Sequence, residues 1–139
     1  MVIDGGGRGE VSAMGGLSTL VAKRYGLAGN IVDSGVRDVG EMKALDYPVW
    51  SRGITPITGK FRFEALEVNG LVVCGGVSVY PGDLVVADDS GVVIVPQRFL
   101  REVVRRAIET LKKEKRLIEA IEEGSSIGEI RKILSPGKW

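Results

Sequence analysis

From the start of the chain to about Pro96, short apolar runs alternate with glycine-rich or polar breaks. The apolar runs at residues 2–4 ("VID"), 30–35 ("NIVDSG") and 48–54 ("PVWSRGI") are typical of buried strands. From Leu71 the pattern is strongly β, and "YPGD" and "DDSG" carry the proline, glycine and aspartate residues of tight turns. The pattern predicts a sheet-forming core over about residues 2–96, with "GGGRG" at residues 5–9 as a flexible loop.

Helical spacing occurs between these strands and dominates the last part of the chain. One predicted helix ends near Gly26 and carries its apolar residues at Ala13, Leu17, Leu20 and Val21. A second, short helix over residues 37–45 turns Met42 and Leu45 inward. A long helix over residues 97–122 carries the apolar stripe Leu100, Val103, Val104, Ala107, Ile108, Leu111, Ile118 and Ile121.

The end of the chain predicts one more short helix. Gly124 stops the long helix, and Ser126 and Glu129 have the spacing of a capping box. The elements together predict an α/β protein with a mixed or layered sheet. We expect a single domain over residues 1–139, with its core at about 2–96 and C-terminal helices at 97–134.

Composition and charge are those of an ordinary globular protein. Hydrophobic residues make up 44% and charged residues 27% of the 139 positions, and the formal net charge is +1. This balance favours neither nucleic acid nor an acidic membrane surface as a partner. No apolar run reaches the roughly 18 residues of a membrane span, and no signal peptide precedes the first strand, so we expect a cytoplasmic protein.

The missing residue types narrow the possible chemistry. The sequence has no histidine, which excludes Ser-His-Asp and Cys-His catalysis and imidazole-based zinc sites. The one cysteine, Cys74, excludes an internal disulfide and is interpreted as a small core residue. Chemistry must therefore rest on carboxylates, arginine, lysine, backbone amides or a hard metal bound by oxygen.

Three charged residues follow the buried strand at residues 30–35. Asp38 and Glu41 are three apart, so both can lie on one face of the first turn of a helix and offer the oxygen ligands that Mg²⁺ prefers. Arg37 beside them could clamp a substrate carboxylate, and Gly15 and Gly16 could bring backbone amides close to it. Spacing alone leaves a second interpretation open, in which Arg37 and Asp38 cap a helix and form a surface ion pair.

A longer set of motifs resembles one known family. "DGGGRGEVSAMGGLSTLVAKRYGLAGNIVDSGVRDVGEM", "DYPVWSRGITP" and "VYPGDLVVADDSGVVIVP" follow one another as in the regulator of RNase E activity A-like family, which includes the 4-hydroxy-4-methyl-2-oxoglutarate (HMG/CHA) aldolases. The resemblance implies a layered αββα sandwich with a mixed β-sheet core. It also implies a homotrimer or hexamer and a Mg²⁺ or Mn²⁺ cofactor. The implied activity is cleavage of 4-hydroxy-2-oxo acids to pyruvate, with oxaloacetate decarboxylation.

The resemblance also assigns roles to residues of this chain. Arg37 matches the arginine that binds the pyruvyl carboxylate, and Asp38 matches the metal-ligating aspartate. The loop Gly15, Gly16 and Leu17 matches the segment whose amides meet the substrate. Characterised aldolases carry an acidic residue where this chain has Gly16; a variant pattern, Gly-x20-Arg-Asp-x2-Glu/Asp, fits instead and gives Glu41 the second metal contact. Glu114 is a candidate for the glutamate contributed by a neighbouring subunit.

The beginning of the chain differs from the family pattern. Members carry a further helix and several strands before the segment that matches residues 2–7. Three explanations stay open: a natural short form, a true start further upstream, or another protein that supplies the rest. An uncovered strand edge would favour association of subunits.

Other functions remain as alternatives. A Schiff-base lysine would have to be Lys23, Lys43 or Lys60, none of which lies in an apolar strand. The "GGGRG" run matches no phosphate-binding motif. The rival from another class is a non-catalytic binding module that docks on a ribonuclease or helicase and regulates it.

Overall fold

A computed structural model describes residues 1–134 and divides into two compact units, Met1–Pro96 and a second that begins at Gln97. The boundary coincides with the predicted border between core and C-terminal helices. The α/β class and the long C-terminal helix are confirmed. That the whole chain acts as a single domain stays a prediction.

The first unit is built on a parallel sheet of three strands. β1 (Val2–Met14), β2 (Asn30–Val36) and β3 (Val49–Ile54) pair in the order β1-β2-β3, and every residue of the central strand β2 is buried. Helix α1 (Gly16–Arg24) connects β1 to β2, and helix α2 (Val39–Ala44) connects β2 to β3. The carboxyl ends of β1 and β2 therefore lie side by side, which is where ligands bind in parallel sheets.

β1 is longer than the sequence predicts. The predicted strand ends at Asp4, whereas the observed strand runs through the "GGGRG" segment to Met14, so the loop prediction was wrong. Irregular pairing with β2 accommodates the glycines, and Gly6 and Gly7 have φ of 68° and 72°. The carbonyl oxygens of Arg8 and Val11 lie 2.9 Å and 2.7 Å from Ser34 Oγ and share its one hydrogen, which holds the irregular stretch against β2.

α1 buries a different face from the predicted one. Its buried residues are Gly16, Thr19 and Ala22, whereas the predicted stripe of Leu17, Leu20 and Val21 is exposed, Leu17 to 80%. Ala13, assigned to the same stripe, lies on β1. Small residues let the helix backbone approach the sheet closely, and this close packing overrides the apolar periodicity.

The core lies between the helices and the parallel sheet. Its buried members are Met14, Ala22, Val32, Val36, Met42 and Tyr47, and Leu45 packs against them. Met42 and Leu45 thus confirm the predicted inward face of α2. Asn30 lies fully buried beside this cluster, where Tyr47 Oη donates a 2.7 Å hydrogen bond to Asn30 Oδ1.

Two antiparallel pairs complete the first unit. β4 (Val72–Cys74) pairs with β5 (Val77–Val79), and β6 (Leu84–Asp88) pairs with β7 (Gly91–Val95) across the predicted "DDSG" turn. Trp50 Nε1 donates to the Asp88 carbonyl oxygen and so joins β3 to the second pair. Cys74 is half-buried, and burial raises the pKa of its thiol, which agrees with a packing role.

The second unit is helical. A short 3₁₀ turn at Gln97–Phe99 precedes α3 (Leu100–Glu122), and α4 (Ile127–Ile133) follows Gly124, whose φ is 78°. The predicted capping box is confirmed: Glu129 N donates to Ser126 Oγ, and Ser126 N donates to the Glu129 carboxylate. No residue of α3 is buried, and its apolar stripe is exposed except at the half-buried Leu100. Across residues 1–134, no helix combines the length and apolar character that crossing a membrane requires.

Candidate functional site

The candidate site begins where β1 ends and α1 starts. Gly15 is the last residue in extended conformation before the helix, with φ of −144°. Its carbonyl oxygen accepts from Ser18 Oγ at 2.8 Å and from Thr19 Oγ1 at 2.9 Å, while its amide donates to Ser18 Oγ at 2.9 Å. Ser18 and Thr19 therefore fix the first turn of α1 without an acidic cap.

Arg37 and Asp38 approach this turn from the end of β2. The Arg37 amide donates to the Met14 carbonyl oxygen at 3.0 Å, which joins the ends of the two strands. Asp38 precedes α2 in the left-handed conformation, with φ of 56° and ψ of 38°, which aspartate tolerates better than most residues. This turn brings Asp38 Oδ2 to 3.0 Å from the Gly16 amide, and Arg37 Nε forms an ion pair with the same oxygen at 3.3 Å.

The two glycines are required by these approaches. A Cβ atom on Gly15 would lie 2.7 Å from Asp38 Oδ2 and 3.0 Å from Arg37 Cγ. A Cβ atom on Gly16 would lie 1.6 Å from Glu41 Oε2, so the Glu41 carboxylate occupies the space beside that residue. The structure thus brings both carboxylates, from Asp38 and Glu41, to the amino end of α1.

A cleft of about 210 Å³ opens next to this cluster. Arg37 contributes a guanidinium group to its wall, and Lys60 contributes a second basic residue. Ser12, Ser18, Thr58 and Phe63 complete the polar and aromatic part of the lining. The arrangement can bind a small anion, because cationic and hydroxyl-bearing residues surround the space.

The predicted site residues separate into two groups. Gly15, Gly16, Arg37, Asp38 and Glu41 come together as described. Leu17 contributes no side chain to the cleft, but its amide belongs to the first turn of α1, where helix amides lack intrahelical partners. Glu114 lies exposed on α3, in the second unit. The roles of these residues stay predictions.

Asp33, which precedes Arg37 by four residues, lies elsewhere. Its side chain is buried, and its Oδ1 accepts a 2.5 Å hydrogen bond from Arg52 Nε. Together with Arg52 and Cys74 it lines a separate cavity of about 300 Å³. The two cavities share no lining residue, so Asp33 does not belong to the cleft.

The carboxylates of Asp38 and Glu41 are candidate ligands for a metal ion. Within residues 1–134, no group of three or more acidic, cysteine or histidine side chains is arranged to hold a metal. The pair Asp38 and Glu41 nevertheless fits Mg²⁺ or Mn²⁺, since magnesium usually takes one or two carboxylates and completes its octahedron with water and substrate. Because Gly16 has no side chain, the Glu41 carboxylate can enter the space beside it. The Asp38 carboxylate also contacts Gly16, so both carboxylates lie at the same end of α1, which supports this fit.

Sequence reasoning missed several residues of the cleft. Thr58, Gly59 and Phe63 belong to the irregular segment after β3, and Ser12 belongs to the unpredicted extension of β1. Lys60 was considered only as a Schiff-base residue. A bond from the Ser12 amide to the Ile57 carbonyl oxygen, 2.8 Å long, brings the two segments together. Neither periodicity nor spacing signals such a contact between irregular segments.

The chain is similar to a known protein family over most of its length. The family model described as RraA-like, Aldolase/RraA, matches residues 1–94. The "Uncharacterized protein MJ0644" of Methanocaldococcus jannaschii is 37% identical over 126 residues, covering 91% of this chain and 60% of the relative. The "Putative 4-hydroxy-4-methyl-2-oxoglutarate aldolase" of Halalkalibacterium halodurans is 36% identical over 107 residues, covering 77% of this chain and 50% of the relative.

Solved structures agree with the sequence comparisons. An uncharacterized protein from Pseudomonas syringae pv. tomato superimposes with a TM-score of 0.89 at 36% identity, covering 94% of this chain and 65% of that one. RraAS2 of Streptomyces coelicolor, described as an unusual member of the RNase ES inhibitor RraA protein family, superimposes with a TM-score of 0.71 at 33% identity, covering 82% and 58%. In these four comparisons the chain spans between half and two thirds of the other protein's length. The chain belongs to the RraA-like (Aldolase/RraA) family.

Proposed function

We propose that this chain forms the active site of a divalent-metal-dependent lyase. Its substrates are 4-hydroxy-2-oxo acids such as 4-hydroxy-4-methyl-2-oxoglutarate, which it cleaves to pyruvate and a second oxo acid, and it decarboxylates oxaloacetate. The observation that carries the proposal is the meeting of the Arg37 guanidinium, two carboxylates and the amino end of α1 beside one cleft. The name of the Halalkalibacterium relative supports the same chemistry.

Asp38 and Glu41 would hold the metal, Mg²⁺ or Mn²⁺. When bound, such an ion supplies a Lewis acid for the negative charge that develops on the 2-oxo oxygen as the C3–C4 bond breaks. Two carboxylates leave most of the coordination positions to water and substrate. In the proposal, Glu114 from a neighbouring copy completes the site of a homotrimer or hexamer.

Arg37 binds the carboxylate of the 2-oxo acid and prevents the substrate from rotating. Charge-assisted hydrogen bonds from a guanidinium to a carboxylate are about twice as strong as neutral ones. The Gly16 amide is occupied by Asp38, so the amides of Leu17 and Ser18 remain as donors of the first turn of α1. Their positive helix end favours the same anionic substrate.

Cleavage requires that the proton of the 4-hydroxyl group be removed. Because the sequence contains no histidine, a water molecule held by the carboxylates of Asp38 and Glu41 is the proposed acceptor. The electron pair of the broken C3–C4 bond then passes into the enolate of pyruvate, which takes up a proton at C3. Decarboxylation of oxaloacetate passes through the same enolate, with carbon dioxide as the leaving group.

A regulatory function is the second candidate. The description of the Streptomyces structure as a member of an RNase ES inhibitor family favours a module that binds a ribonuclease or helicase without catalysis. The two candidates differ in what they require of Arg37. The catalytic candidate needs the Arg37 guanidinium in the cleft to bind substrate. The regulatory candidate needs an accessible surface for its partner and no reaction at Arg37.

The test measures pyruvate release. The purified protein is incubated with Mg²⁺ and either oxaloacetate or 4-hydroxy-4-methyl-2-oxoglutarate, and pyruvate is followed with a coupled reductase. We expect turnover that a chelator removes and that Arg37→Ala lowers at least about 100-fold, as expected for loss of a charge contact to the reacting group. Arg52→Ala, which removes an arginine ion pair outside the cleft, serves as control. A folded sample without turnover on either substrate would favour the regulatory candidate.

A further inference from the structure

Thr58 is held in a fixed position beside the end of β1. The Ser12 amide donates to the Ile57 carbonyl oxygen at 2.8 Å, and Ser12 and Thr58 form an isolated parallel bridge. Gly59 follows so closely that a Cβ atom there would lie 2.5 Å from the Ser12 carbonyl oxygen. These contacts anchor an otherwise irregular segment to a strand of the sheet.

The anchored threonine contacts the guanidinium group of Arg37. Nη1 of Arg37 donates a 3.2 Å hydrogen bond to Thr58 Oγ1, while Nε forms the ion pair with Asp38. Nη2 has no hydrogen-bond partner anywhere in residues 1–134. Contacts on two of its three nitrogens fix the plane of the guanidinium, so the Nη2 edge remains for a ligand.

The hydroxyl group of Thr58 also has an unused hydrogen-bond donor. Its oxygen accepts from Arg37 Nη1 at 3.2 Å and from the Lys60 amide at 3.2 Å. A hydroxyl oxygen has two acceptor sites and one hydrogen to donate, so both acceptor sites are used. Thr58 lines the cleft, and the described part of the chain offers its hydrogen no acceptor. The hydroxyl is therefore set to act as a donor to whatever occupies the cleft.

We propose that Thr58 is a substrate-positioning residue, which orients Arg37 and donates its own hydroxyl hydrogen to an oxygen of the bound 2-oxo acid. This inference rests on the proposed function, since it takes that acid as the occupant of the cleft. Two donors, Nη2 of Arg37 and the hydroxyl of Thr58, then act on the same anion. Because these bonds form with substrate and transition state alike, Thr58 contributes to KM more than to kcat.

The test compares Thr58→Val, which keeps the shape and removes the hydroxyl, with Thr58→Ser, which keeps the hydroxyl. Oxalate binding is measured by calorimetry in the presence of Mg²⁺, and KM and kcat are measured for oxaloacetate. We expect Thr58→Val to weaken oxalate binding and raise KM by about tenfold or more, as for loss of hydrogen bonds to charged groups. Thr58→Ser should stay within about twofold of the unmodified chain.

Two controls separate this role from a general loss of structure. Thr110→Val makes the same chemical change on α3 and should leave oxalate affinity unchanged. In an Arg37→Lys background, where the fixed guanidinium is absent, Thr58→Val should lose the part of its effect that acts through Arg37 and keep only the part due to the hydroxyl's own bond to the substrate, so the effect should be smaller than in the unmodified chain. A merely structural contribution from Thr58 would persist there at its full size.

The outcomes distinguish this inference from the function on which it rests. If the unmodified chain turns over substrate and Thr58→Val has normal KM and oxalate affinity, the role of Thr58 is overturned while the proposed function stands. Failure of Thr58→Ser to restore binding would overturn it as well, since it would show that the methyl group matters. If the unmodified chain neither binds oxalate nor releases pyruvate, the proposed function and this inference fall together.

Discussion

The carboxylate of Glu41 lies in the space where a side chain at Gly16 would be. A Cβ atom on Gly16 would come 1.6 Å from Glu41 Oε2 and 2.7 Å from Glu41 Cδ. The two positions are therefore coupled: a carboxylate can enter this space from α2 only while residue 16 has no side chain. This relationship gives a physical reason for pairing Gly16 with an acidic residue at position 41.

The coupling predicts the effect of Gly16→Ala. The new methyl group would displace the Glu41 carboxylate, which can move because it ends a flexible side chain. We expect the protein to stay folded and its Mg²⁺ affinity, measured by calorimetry, to fall by about 10-fold or more, the usual effect of disturbing groups around a metal. Gly40→Ala on α2 is the matched control, since a Cβ atom there meets nothing within 4 Å. Equal losses in both variants would contradict the prediction.

The same coupling predicts that the carboxylate can be exchanged between the two positions. Glu41→Ala removes the acidic group and empties the space beside Gly16, and Gly16→Asp then places a carboxylate there from α1. We expect Glu41→Ala alone to bind Mg²⁺ weakly and the double variant to recover at least about half of the lost binding free energy, as for residues in direct contact. Additive losses in the double variant, again measured by calorimetry, would count against this model.

Asp38 combines a charge with an unusual backbone conformation, and two substitutions separate these properties. Asp38→Asn keeps a residue that tolerates φ of 56° and can still accept from the Gly16 amide, but it removes the charge. We expect it to retain the free energy of unfolding and to lose Mg²⁺ binding. Asp38→Ala should lose both, with about 1 kcal/mol of backbone strain added. Asp46→Asn, with φ of 47° at the end of α2, is the control that should bind metal normally.

Tyr47 supports the buried amide next to the core. Tyr47→Phe leaves Asn30 Oδ1 without its 2.7 Å hydrogen bond, and Asn30 is 0% exposed, so water cannot replace the hydroxyl. We expect the free energy of unfolding to fall by about 1–3 kcal/mol, the cost of an unsatisfied buried acceptor. Urea denaturation measures the change. Tyr25→Phe, at an exposed tyrosine, should change stability by less than about 0.5 kcal/mol.

Tyr47 also predicts how stability depends on alkaline pH. Burial raises the pKa of the Tyr47 hydroxyl above its ordinary value of 10.0. A raised pKa in the folded state stabilises the protein below the unfolded-state pKa, and this contribution is lost as the pH rises through the folded-state pKa. The unfolding free energy of the unmodified chain should therefore fall above about pH 10, and Tyr47→Phe should remove that part of the slope. Parallel slopes in urea denaturation from about pH 9 to about pH 12 would contradict the assignment.

The predicted and observed buried faces differ most clearly on α1. Helical spacing located the helix correctly but assigned its buried face to Leu17, Leu20 and Val21, whereas Gly16, Thr19 and Ala22 pack inward. Periodicity counts apolar side chains and does not register how closely a backbone must approach its neighbour. On α2 the apolar residues are also those that pack, and Met42 was predicted correctly.

The cleft shows a second kind of limit. Arg37, Asp38 and Glu41 are close in sequence at the end of a buried strand, so their proximity could be predicted from that pattern together with the family resemblance. Thr58 comes from an irregular segment about twenty residues later, and the contacts of that segment with Ser12 bring it to Arg37. Contacts made by such segments depend on backbone geometry, for which the sequence has no periodic signal.

The sequence by itself determined the α/β class, the strand predicted at residues 30–35, the long charged helix and the charged cluster after that strand. These follow from local patterns, because apolar runs, capping residues and glycines act on their near neighbours. Only the tertiary structure decided that Glu41 occupies the space beside Gly16, that Asp33 pairs with Arg52 and that Thr58 holds Arg37. Those relationships join residues from separate elements, and their distances are set by how the strands and helices pack.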